Sequence, residues 1–172
     1  MIRATMLALM LMAGPVAAFD AADRAAVERK AAEVAHRIKT EGFGTFMMQM
    51  PPPLEQAMAE RLGESVAQMR RETEERAGTL DMQDFRLNLA MMRTRDTAIG
   101  RPYALVPARG TVLFDTDGGL SMIFTLLFFE DEGSWHAVST PSQVDAEIVA
   151  QAYPDFEGLT VPQMLVTPAP RP

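Results

Sequence analysis

The chain has no cysteine. This excludes disulfides, thiolate metal sites and cysteine nucleophiles, and it leaves no thiol to carry a lipid after export. Histidine is nearly as scarce, with two in 172 residues, His36 and His136. They fall on unrelated elements and make no metal site. Positive charge is in deficit: 16 Lys and Arg stand against 23 Asp and Glu, a net charge of −7. An acidic surface repels phosphate backbones, so nucleic acid is not expected as a partner. Long apolar runs are missing too. Ala4–Ala13 and Leu120–Phe129 are the longest, and both fall short of the ~20 residues that span a bilayer, so no stable membrane anchor is expected. There is no Gly-x-Ser-x-Gly, Walker-type loop, dinucleotide fingerprint or His-Glu-x-x-His. Standard hydrolase, kinase and metalloprotease chemistries therefore have no support, and neither a cofactor nor a metal is expected.

What is present begins with residues 1–18, which read as a signal peptide. Arg3 gives the positive start, Ala4–Ala13 the apolar stretch, Gly14-Pro15 the break, and Val16-Ala17-Ala18 the small residues of a cleavage site after Ala18. The expected address is the periplasm or the medium. Residues 19–153 read as a single domain, long enough for a real core, and residues 154–172 as a Pro-rich extended tail.

Val27, Ala31, Val34 and Ile38 draw one apolar stripe on a helix from Asp20 to Lys39, ended by Gly42. A second helix is expected over Leu54–Arg76, with Leu54, Met58, Leu62, Val66 and Met69 inward and Gly78 as its stop. Phe85, Leu87, Leu89 and Met91 alternate with Arg86, Asn88 and Ala90, the period of a half-buried strand; a helical reading of the same stretch stays open. Arg101–Pro107 reads as an extended piece confined by its prolines to an edge or a bulge. Thr111–Phe114, Leu120–Phe129 and Trp135–Ser139 then form two hairpins, with Leu120–Phe129 apolar on both faces and so central. A third helix starts at Thr140-Pro141, with Val144, Ile148 and Ala152 inward. The fold class is α+β: N-terminal helices on a curved antiparallel meander, then a short helix and the tail.

Several residues attract attention. Tyr103, Trp135 and His136 are the leading ligand-binding residues. Arg93 and Arg95 share a strand face and are candidates for reading an anion; a solvated strand end is the plainer reading. Asp115-Thr116-Asp117-Gly118 opens like a calcium loop, but its twelfth position is Leu126, which cannot chelate. Met47-Met48-Gln49-Met50 has soft ligands for Cu(I), yet it adjoins Phe43 and Phe46, and methionine commonly fills core gaps.

The order helix, loop, long helix and meander, closed by Gly133-Ser134-Trp135-His136, resembles small secreted NTF2-like (cystatin-like α+β) domains over roughly residues 20–139. The resemblance implies a conical pocket between helices and sheet, used for acid–base catalysis in some members and for binding or dimerisation in others. The first helix presents alanines and no acid–base dyad. The expected function is thus a non-catalytic module that binds a small apolar ligand or an envelope protein. Two alternatives stand beside it: an enzyme with His136 oriented by Asp84 or Asp96, and a homodimeric assembly module of the cell envelope.

Overall fold

The computed structural model describes residues 19–77, 81–114 and 118–169. Residues 1–18, expected to be a signal peptide, Gly78, expected to stop the second helix, and Asp115-Thr116-Asp117, expected to form a turn, lie outside them. The fold is α+β; the described residues form five α-helices and a curled six-stranded antiparallel sheet.

Helix α1 spans Ala21–Glu41. The Asp20 carboxylate accepts from the amides of Ala22 and Asp23, and Asp23 answers by accepting from the Asp20 amide. This reciprocal cap satisfies donors that a helix start leaves open. Val27, Ala31, Val34 and Ile38 are all buried, as their spacing predicts. A short helix α2 (Phe43–Met47) occupies the stretch expected to be a loop.

The expected long helix is two helices, α3 (Pro52–Leu62) and α4 (Val66–Ala77). Gly63 takes a left-handed conformation, φ 72°, and ends α3, while the Ser65 hydroxyl accepts from the Gln68 amide. The apolar spacing runs through this break, which is why the sequence reads as continuous. The break also turns Leu62 outward, 55% exposed.

Strands β1 (Asp81–Leu87) and β2 (Arg93–Asp96) are joined through a 3-10 turn at Leu89–Met91. Both pair with β3 (Pro102–Phe114), which pairs in turn with β4 (Gly118–Asp131). The far edge is again in two pieces: β5 (Ser134–Ser139) and β6 (Leu165–Pro168) pair with opposite ends of β4. Strand β3 is therefore interior, contrary to the edge or bulge its prolines imply. Pro107 is tolerated because it falls in the gap between the β1 and β2 ladders, where only its carbonyl is used, accepting from the Asn88 amide at 2.8 Å; a proline there gives up no ladder donor.

Apolar residues cover both faces of β4 at its β5 end. On one face, Phe124, Leu126 and Phe128 pack with α1, α2, Val106 and Val112. On the other, Leu127 and Phe129 pack with Leu54 of α3 and with Ala146, Ile148 and Val149 of α5 (Gln143–Ala152). Helix α5 is capped by Ser142, two residues later than expected. That shift turns Val144 outward, 49% exposed, and brings Ala146 and Val149 inward. The segment after Tyr153 is docked rather than loose: Phe156, Leu159 and Val161 are buried, and β6 extends the sheet.

Candidate functional site

Residues paired across antiparallel strands share a face. Arg95, Tyr103, Phe129 and His136 form one row across four strands, and Arg93 leads the next row through Leu105, Leu127 and Val138. Four of the five residues singled out from the sequence thus lie on the α5 face. Trp135 does not. It points to the α1 face, where its ring meets Phe19 edge-on with centroids 6.3 Å apart. Trp135 and His136 are neighbours in sequence and are separated by the sheet.

The row between Arg95 and His136 is closed over. Tyr103 is buried, with the Phe156 ring 5.3 Å away, and Phe129 lies under Tyr153 and Phe156. Burial raises the Tyr103 pKa. His136 packs against Phe129, centroids 5.7 Å apart, and burial lowers its pKa against the opposing pull of Asp131. Neither acid proposed to orient it is in reach. Asp84 sits on the opposite edge of the sheet beside Gly110, seven residues along β3 from Tyr103, on the order of 20 Å from the His136 row. Asp96 accepts from the Phe19 amide at 3.0 Å, on the side of Trp135.

Beside this row Arg101 holds three segments together. Its guanidinium donates to Asp131 at 2.7 Å, to Asp155 at 2.9 Å and to the Glu130 carbonyl at 3.0 Å. It lies 5.1 Å from the centre of the Tyr153 ring, and the Tyr153 hydroxyl donates to Asp131. Burial, then the Asp131 charge, push the Tyr153 pKa well above its ordinary value. Arg101, Asp131, Tyr153 and Asp155 are thus partners of one another, which fastens the chain after α5 to the β4–β5 hairpin.

The other end of the α5 face is open. Leu165, Ile123, Arg109 and Arg86 stand in one row across β6, β4, β3 and β1. Thr167, Ser121, Thr111 and Gln83 form the next, with the Thr111 and Ser121 hydroxyls 3.2 Å apart. A groove of about 380 Å³ runs between Asp84, Arg86, Arg109, Thr111, Ser121 and Ile123. A second, of about 530 Å³, continues past Arg86, Arg109 and Ile123 to Met91 and Pro107. Ile123 is 51%, Met91 60% and Leu165 62% exposed.

The bulge that begins after Gln83 shapes this surface. Asp84 has φ 53°, and the register shifts before Arg86. One extra residue there lets Met82 share the α1 core face with Phe85 and Leu87 and sets Arg86, on the opposite face, directly across from Arg109. Like charges directly opposite destabilise a strand pair. Among the described residues, Arg86, Arg93, Arg95 and Arg109 have neither an ion pair nor a side-chain hydrogen bond. The arrangement suits an anion, which two adjacent guanidinium forks can grip.

Sequence reasoning identified Arg93 and Arg95 and passed over Arg86 and Arg109. The usable signal was Arg86 between two inward apolar residues; what Arg86 faces depends on strand register. Met47, Met50 and Met58 line a slot of only about 60 Å³ between α2, α3, β5 and α5, a volume suited to core filling. Among the described residues no cluster of three His, Asp or Glu can hold a metal, and no helix is long and apolar enough to cross a membrane. Comparisons of the chain with protein-family models, curated proteins and solved structures find no match.

Proposed function

We propose that this protein is an exported, non-catalytic binding module whose open sheet surface takes an amphipathic anion. The observation that carries this reading is the Leu165–Ile123–Arg109–Arg86 row. Arg86 and Arg109 present planar donors for a carboxylate or phosphate. Thr111 and Ser121 add hydroxyls at the next row, and Ile123 and Leu165 offer aliphatic surface to the apolar part of the ligand. This widens the small apolar ligand expected from the sequence into a ligand with a charged end.

The resemblance to NTF2-like domains implies a pocket between the first helix and the sheet. Here Val27, Val34, Ile38, Phe124, Leu126 and Phe128 fill the middle of that space, and a groove of about 710 Å³ stays open at its β1 edge, between Ala35, His36 and Lys39 and the stretch from Met82 to Arg86; the reading rests on the opposite face, where the two facing arginines stand. A homodimer closed over the open face would set the basic patch against its own copy. A catalytic reading through His136 lacks an orienting partner in Asp84 or Asp96.

The test is thermal unfolding with dodecyl phosphate as the probe. Binding to the folded state alone raises its stability with ligand concentration, by about 2.7 kcal/mol at a hundred times Kd. The expected result is a clear rise in melting temperature for the native protein and none for the Arg86→Gln/Arg109→Gln variant. Without ligand, that variant should be as stable as the native protein or slightly more so, because the repulsion is gone. An equal rise in both proteins, or no rise in the native one, overturns the assignment.

A further inference from the structure

We infer that the open end of this sheet face, together with the exposed β2 edge that flanks its closed end, docks onto an anionic phospholipid membrane, with Arg86, Arg93, Arg95 and Arg109 at headgroup phosphates and Met91, Ile123 and Leu165 in the interfacial layer. The inference rests on the reading above and narrows it, since the amphipathic anion becomes a lipid surface rather than a dissolved molecule.

Depth is the first argument. A pocket for a dissolved small ligand encloses most of it, ~70–90% of its surface. The two grooves here share Arg86, Arg109 and Ile123, and all three are exposed. They form one shallow surface on a single sheet face, where an acyl chain would keep much of its length in water. A membrane covers such a surface as a whole.

Extent is the second argument. Arg95 pairs with Tyr103, six residues along β3 from Arg109, a span of roughly 20 Å. A single headgroup cannot reach from one end to the other, whereas neighbouring lipids present phosphates along all of it.

Charge and its surroundings make the third. The chain as a whole carries −7, yet four arginines without acidic partners share this one face. Asp84 is the carboxylate in the groove, and Asp131 and Asp155, beside the Arg95 row, are both ion-paired with Arg101. Acidic groups on other faces are screened beyond ~8 Å at physiological salt, so the face meets a membrane as a basic surface. Exposed Met91, Ile123 and Leu165 among the arginines favour the boundary between headgroups and acyl chains, where basic and apolar side chains act together. Among the described residues the face has no exposed aromatic ring on which nucleic-acid bases could stack.

The test is co-sedimentation of the purified protein with phosphatidylcholine vesicles, with and without phosphatidylglycerol, beside the dodecyl phosphate experiment. The expected result is binding to the anionic vesicles that falls with added salt and is at least about tenfold weaker on phosphatidylcholine alone. Arg86→Gln/Arg109→Gln and Arg93→Gln/Arg95→Gln should each weaken vesicle binding by about tenfold or more. Unchanged vesicle binding by both variants, or equal binding to neutral vesicles, overturns the inference. Dodecyl phosphate protection without vesicle binding overturns it too and leaves the anion site standing. Failure of both experiments removes the site itself.

Discussion

At the scale of single residues, two positions let simple physics be checked. Burial lowers the pKa of His136, with Asp131 and Glu130 pulling the other way and Lys30 adding to the fall. A histidine with a depressed folded-state pKa binds fewer protons folded than unfolded. Stability is therefore fullest above the ordinary value near 6.5 and is lost as the pH falls below it. Urea unfolding at mildly acid and at neutral pH should show a smaller acid loss for His136→Gln than for the native protein; equal losses would count against the burial argument. Glu132 is the second position. It has φ 49° and Gly133 φ 78° in the two-residue β4–β5 turn. Such a turn needs left-handed backbone at both residues, and asparagine accepts this better than glutamate. Glu132→Asn should raise stability by roughly 0.5–1 kcal/mol, read from the urea midpoint. The turn was legible in the sequence as Asp131-Glu132-Gly133-Ser134. The surroundings of His136 were not, because Trp135 and His136 differ by one residue in sequence and by a whole sheet in space.

At the scale of elements, periodicity held wherever one face is apolar without interruption. Helix α1 and strands β4 and β5 follow from spacing and turn residues alone. It failed at Gly63, where the apolar register of α3 continues into α4 across a change of direction. A Cβ at Gly63 meets nothing within 4 Å, so the cost of a side chain is conformational. Gly63→Ala should destabilise by about 1 kcal/mol and Gly63→Asn by less, since asparagine tolerates left-handed backbone. A neutral Gly63→Ala, measured in the same way, would mean the α3–α4 turn shifts freely. Strand β3 was misread for a related reason. Proline is excluded from sheet interiors only where its missing donor is needed, and Pro107 stands where the neighbouring edge is interrupted.

At the scale of the whole molecule, the C-terminal segment closes the α5 side of the sheet. Phe156, Leu159 and Val161 are buried there, and Asp155 is held by Arg101. Burying each such side chain contributes ~2 kcal/mol, and their sum rivals the ~5–15 kcal/mol that holds an ordinary domain folded. Ending the chain at Tyr153 should therefore abolish cooperative unfolding near room temperature, as followed by circular dichroism. A truncated protein with the native melting temperature would show that the segment is dispensable. The sequence by itself determined the fold class, the covered central strand and the polar or apolar character of each element, because those depend on local spacing and propensity. The tertiary structure alone decided which residues meet. A bulge at Asp84 sets Arg86 beside Arg109, and the pairing of β6 with β4 sets Leu165 beside Ile123. Strand register joins residues far apart in the chain, and no local pattern encodes it.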